Sequence, residues 1–305
     1  MRRCLILALL PASLALAGEW PKQLTAYRGR TPVIDGVLDR GEWADATHFT
    51  GVRDWKPQFS QTTDDQDLSI EGWVKHDGEN LYFAFRVTDD VLYGLDTERW
   101  LPKENPKTHQ LTREGFPWFG DEMELLINAT NQWSAKDGEN AAGNGQSWQM
   151  VCNLTKSRLG GIGVGGLLEG EPRSVKAAWD TYQQWILHGD QVAAAKVEPE
   201  PVEVISALPG LVFGRVRRPG GHYVIEWMVK AKLCLEVRPG VFWSPALGSV
   251  KMGLNIALGD IDTRAAGKGN AFGFNHEDWW AGERNKRTWL KQYGTLILEP
   301  GPRPK

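Results

Sequence analysis

The chain has 305 residues, a formal charge of −3 and 15 Trp against 6 Tyr and 10 Phe. A mildly acidic balance offers no electrostatic footprint for nucleic acid or for anionic membrane surfaces, so neither is expected as a partner. The excess of Trp points to indole faces that pack a core or grip ring-shaped ligands.

Arg2 and Arg3 precede an apolar run, Cys4–Leu16, that closes on the small-x-small sequence Ala15-Leu16-Ala17. This is the pattern of a secretory signal peptide over residues 1–17, so residues 18–305 are expected to form one secreted or periplasmic domain. The run is short, and broken by Pro11, for a membrane span. Two cysteines follow, Cys152 and Cys234, both in strand-like apolar runs. A disulfide and two buried thiols are both open for them.

Thr31–Asp39 reads as a short strand with an Asp-Gly turn, and Glu42–Ala46 as a helical turn that drops Trp43 into the core. Leu68, Ile70, Gly72 and Val74 alternate, His76–Asn80 turns, and Leu81, Phe83, Phe85 and Val87 line one face of the strongest strand; together they predict a hairpin. Residues Tyr93 to Pro117 are polar and aperiodic, with prolines at 102, 106 and 117, which suits a functional loop or lid.

Phe116–Asn128 follows. Trp118 stands at the mouth of a strand in which Met123, Leu125 and Ile127 share one face and Glu122, Glu124 and Leu126 the other. A flat apolar ring beside acceptors suits a polyhydroxylated ring, with C–H faces and O–H edges. The competing reading is an indole capping the core beside solvated acids.

Trp148, Met150, Cys152 and Leu154 alternate as a further strand. Gly161–Gly166 spells G-x-G-x-x-G, but Gly170 and Pro172 stand where a dinucleotide site needs a helix, so a loop is expected. Residues 177–204 fit helix or strand. Tyr223–Val229, Val250–Leu258 and Gly294–Leu298 read as strands. Many short strands joined by turns, with few helical patterns, predict an all-β protein. The expected architecture is an antiparallel β-sandwich, of jelly-roll or immunoglobulin type, with long loop insertions.

In this order the pieces resemble the family 9 carbohydrate-binding modules. The resemblance rests on Val33-Ile-Asp-Gly with Trp43 behind it, Asn80–Asp89, Trp118-x-Gly-Asp-x-Met-Glu124, Gly253-Leu-Asn-Ile-x-x-x-Asp260 and Tyr293–Leu298. It implies a non-catalytic sandwich that holds a sugar between two indole rings. Trp118 matches the first ring and Glu124 an acid beside it; the second ring falls to Trp279, Trp280 or Trp289, with Trp289 nearest the expected place. Gln149 stands where an arginine would contact the sugar, and Ala257 where a glutamine would. Carbohydrate is thus the expected partner, with a separate glycosidase as a companion in polysaccharide breakdown. The resemblance also implies structural calcium, without assigning its ligands.

Two other functional classes make demands that the sequence can be held against. A glycosidase needs carboxylates flanking a bond, about 5–5.5 Å apart for retention or 6.5–9.5 Å for inversion. Glu122 and Glu124 project in parallel from one strand face and do not flank anything. A haem-binding sandwich would draw ligands from Met123, Met150, Met228, Met252 or the 6 histidines; without Cys-x-x-Cys-His, covalent haem is excluded. The histidines do not sit at zinc-ligand spacing. Asp89-Asp90 and Asp260-x-Asp262 end strands and are candidates for calcium or for simple turn capping.

Overall fold

The computed structural model describes residues 22–51, 55–57, 65–90, 121–131, 147–153, 162–165, 203–208, 212–217, 222–260, 276–281 and 293–304. Its strands are β1 (Gln23–Arg28), β2 (Thr47–Thr50), β3 (Lys56–Pro57), β4 (Leu68–His76), β5 (Asn80–Asp89), β6 (Glu122–Asn128), β7 (Ser147–Asn153) and β8 (Ile162–Gly165). They continue as β9 (Glu203–Leu208), β10 (Val212–Arg217), β11 (His222–Lys230), β12 (Glu236–Arg238), β13 (Val241–Phe242), β14 (Val250–Asp260), β15 (His276–Trp279) and β16 (Gly294–Leu298). Among the described residues, helix is confined to single turns, such as α1 (Arg40–Trp43).

Fourteen strands form one curled sheet in the order β8-β7-β6-β14-β16-β1-β4-β5-β11-β10-β9, with β15 attached to β14 and β3, and β2 to β4. β1 is the hinge of the curl. It pairs in parallel with β16 through Gln23–Ala26 and then with β4 through Tyr27–Arg28. The other pairings of the curled sheet are antiparallel. The two halves close over one core, in which Met123, Leu125, Ile127, Leu254 and Ile256 from one side meet Phe83, Phe85, Ile225 and Trp227 from the other. The expected all-β sandwich is therefore present, because period-2 alternation leaves each half with one apolar face to bury.

The β4–β5 hairpin pairs in the register that puts Ile70 opposite Val87 and Val74 opposite Phe83. Its turn is held by Asp77, whose Oδ1 accepts from the backbone N–H of Glu79 and Asn80 at 2.8 Å. Its Oδ2 accepts from the Tyr82 hydroxyl at 2.6 Å and from Thr31 Oγ1 at 2.9 Å. Burial pushes the Asp77 carboxyl up, but these four donors outweigh it and hold the group below its ordinary range.

Trp43, the last residue of α1, is buried, as the sequence predicts. Asp39 caps that turn by accepting from the Gly41 N–H. Beneath the indole lies the ammonium of buried Lys75, 5.1 Å from the ring centroid and 2.9 Å from Asp45 Oδ1.

Two expectations are corrected. Thr31–Asp39, expected as a short strand with an Asp-Gly turn, bends at Asp35-Gly36 but forms no strand. The glycine run at 160–166 contains strand β8, which pairs antiparallel with β7, Cys152 opposite Ile162. Backbone hydrogen bonds alone define an edge strand, so glycines do not prevent it. Cys234 is a buried thiol, pushed up to about 12 by burial; the Cys152 side chain lies outside the described residues. Residues 1–17, expected to be a signal peptide, residues 93–117, expected to be a loop or lid, and residues 177–202 also lie outside them.

Candidate functional site

The face of β6 turned away from the core carries Glu124, Leu126 and Asn128. All three are buried. Register places Glu124 opposite Ala257 on β14, and Ala257 opposite Trp279 on β15. A cross-strand row Glu124–Ala257–Trp279 therefore crosses three adjacent strands. Trp279 packs with Leu126, Ala257 and Tyr293 in an apolar cluster separate from the main core. Its exposure is 1%, so the ring is enclosed in that cluster and presents no open face. Glu124 keeps 6% exposure.

Asn255, one position along the same face from Ala257, holds this arrangement. Its Oδ1 accepts from the Ala281 N–H at 2.8 Å, and the Trp280 N–H donates to the Ile256 carbonyl at 2.8 Å. These bonds fasten the segment after β15 to β14. Trp280 then turns inward and joins the main core at 5% exposure. Its ring lies over Gly294, whose missing side chain makes the room. Sequence reasoning named Trp280 only as one of three indoles and missed Asn255 as the anchor. The available signal was the position of Asn255 between Leu254 and Ile256, a polar residue within a core-forming strand.

Of the other expected sugar contacts, Trp118 and Trp289 lie outside the described residues. Gln149 is on β7, with its backbone in register opposite Leu126; its side chain is not among those described. Glu124 and Trp279 are therefore the expected site residues that the described structure brings to one row.

A second constellation lies at the end of the sandwich. Asp89 closes β5, Asp121 immediately precedes β6, and Asp260 closes β14. All three are buried, and each offers a carboxylate oxygen within 4.8 Å of the others. The sequence had suggested Asp89 and Asp260 without linking them; the fold links them and adds Asp121. β5 belongs to one half of the curled sheet, and β6 and β14 to the other. An oxygen-only, triply anionic donor set matches a hard cation such as Ca²⁺, and a soft or nitrogen-preferring metal poorly. Buried acids this close repel one another unless a cation or a proton intervenes. The residues thus fit the calcium that the resemblance implies.

No protein-family model and no curated protein sequence matches the chain. Among solved structures it is similar to a family 9 carbohydrate-binding module from Caldicellulosiruptor kristjanssonii in complex with cellotriose. The identity is 13% and the TM-score 0.52, covering 93% of this chain and 96% of that one. A glucose complex of a family 9 module from the same organism aligns at 12% identity and a TM-score of 0.49, covering 93% and 98%. On the alignment with the cellotriose-bound module, this chain has a β-sandwich fold like that of a family 9 carbohydrate-binding module.

Proposed function

We propose that the protein is an exported, non-catalytic carbohydrate-binding protein. It holds a sugar against the β6–β14–β15 face, between Trp118 and a second indole. The observation that carries this reading is the row Glu124–Ala257–Trp279, which sets an acid and a tryptophan on the two strands that flank this part of β14, in a fold whose solved example holds cellotriose. Because Trp279 is buried in a cluster with Leu126, Ala257 and Tyr293, Trp289 is the better second clamp. Glu124 and Gln149 read hydroxyls. An indole stacked on a pyranose buries C–H surface, while side-chain hydrogen bonds discriminate between sugars. The binder works alone or beside a separate glycosidase in polysaccharide breakdown. Asp89, Asp121 and Asp260 hold a structural Ca²⁺ that ties the two halves of the sheet together.

The test is calorimetric titration of the mature protein with mono-, oligo- and polysaccharides, set against Trp118→Ala and Trp289→Ala. Binding that is lost in either variant supports the slot. Binding that is equally tight in both, or no binding across the panel, overturns it.

A further inference from the structure

The other half of the sheet also turns a face to the outside. On β4, β5 and β11 its cross-strand rows read Glu71–Arg86–Val224 and Trp73–Ala84–Glu226, and β2 adds His48 opposite Trp73. Residues 34–46 cover part of this face, where Trp43 and Ala46 pack on Tyr82 and Ala84 with Ile34 and Leu38 against them. The part left open is a groove of about 570 Å³, within the range of small-molecule sites, about 300–1,000 Å³. Residues 36–40 wall it on one side, and Trp73, His48, Glu71, Arg86 and His222 line the rest.

The wall is fastened in advance. The Glu226 carboxylate accepts from the backbone N–H of Asp35 at 3.0 Å and of Gly36 at 2.7 Å, and from the Trp43 indole at 3.0 Å. Asp45 accepts from the Arg30 N–H at 2.8 Å and from Lys75 at 2.9 Å. The segment that carries the wall, tied at Asp35, Gly36 and Trp43 and steadied behind at Asp45, gives up little ordering entropy when a ligand arrives.

The lining sets the ligand class. Trp73 is half-buried, and its ring lies 5.0 Å from that of His48 at 35°, which makes a tilted two-ring platform. Beside the platform, Glu71 and Arg86 are direct cross-strand neighbours, an acceptor pair next to a planar fork of donors. Asp39 and Glu71 balance Arg40 and Arg86 around the groove, so nothing in this lining favours a strongly charged ligand. A platform for C–H faces flanked by a carboxylate and a guanidinium for vicinal hydroxyls fits a neutral saccharide.

We infer that this groove is a second saccharide-binding surface, on the opposite side of the sandwich from the Glu124 face. It is argued from its own lining and does not depend on the slot proposed above. Two sites facing away from each other let one chain bridge two glycan strands, and avidity then exceeds either affinity.

The experiment titrates cellotriose, xylotriose and trigalacturonate into the wild type, Trp118→Ala, Arg86→Ala and the double variant, by calorimetry and by the indole N–H resonances. His222→Ala is a second exposed-face probe, and urea midpoints check folding. Residual binding of a neutral trisaccharide in Trp118→Ala is expected. Adding Arg86→Ala or His222→Ala should weaken it about tenfold or more, the size of a lost hydrogen bond to a charged group. Residual binding unchanged in both double variants, or tightest for trigalacturonate, overturns the inference, as does no residual binding of any probe. Failure of the slot alone looks different: Trp118→Ala then changes nothing, while Arg86→Ala still weakens binding.

Discussion

The Trp43 indole N–H donates to Glu226 Oε1 at 3.0 Å, joining a turn near the start of the domain to the middle of β11. The other carboxylate oxygen accepts two backbone N–H groups from Asp35 and Gly36. Glu226 is fully buried, and both of its oxygens are used. Glu226→Ala would leave three donors without their acceptor, at about 1–3 kcal/mol each where water cannot reach them. We expect a loss of about 3 kcal/mol or more in urea unfolding. Glu226→Gln offers one acceptor oxygen in place of two, and should lose about 1–3 kcal/mol. A variant as stable as the wild type would show that the latch contributes nothing.

The same residue gives stability a pH dependence. Burial pushes the Glu226 carboxyl up to about 7, against the pull of its three donors. A folded value above the ordinary 4.5 means that the folded state holds the proton more tightly. The contribution is therefore complete below about 4.5 and is lost as pH rises through about 7. Urea midpoints of the wild type should fall relative to Glu226→Gln between these limits. A difference that is flat or grows with pH contradicts the assignment.

If Asp89, Asp121 and Asp260 hold Ca²⁺, the ion ties β5 to β6 and β14 and stabilises the fold by linkage. At a hundredfold excess over Kd this amounts to about 2.7 kcal/mol, or roughly 5–10 °C in Tm for a chain of this size. Chelator should lower Tm by that amount in the wild type. In Asp260→Asn the chelator should have little effect. An equal response in both proteins, or none in the wild type, removes the cation from the account.

Ala257 sits in register between Glu124 and Trp279 and is 1% exposed. Ala257→Gln, which restores the glutamine that the family resemblance expects, should overpack the Trp279 cluster and cost about 1–3 kcal/mol. Urea unfolding reads this directly. A neutral substitution would mean that the row has room for a longer side chain and that Trp279 can move.

Gly294 shows how closely β16 meets its neighbours. A Cβ there would run into the Trp280 ring and lie 2.7 Å from the Lys22 carbonyl. Gly294→Ala should cost about 1–3 kcal/mol, with Trp280 fluorescence shifting as the ring is displaced. Unchanged stability and emission would mean that β16 yields easily.

Alternation alone predicts β4, β5, β6, β11 and β14 and the inward face of each, because a period of two is local and each strand must hide one side. The β4–β5 hairpin was legible for the same reason, its turn being a five-residue stretch around Asp77-Gly78. The partners of β1 were not. Its parallel bonds to β16 and β4 join the two ends of the domain, and nothing near Gln23–Arg28 records them. Asp89, Asp121 and Asp260 read as separate turn residues until three strand ends converge, and Trp279 reads as a free indole until Tyr293 and Leu126 close over it. The amino-acid order specified which faces are apolar. Only long-range pairing, which depends on how two half-sheets bury those faces against each other, decided which acids and rings would meet.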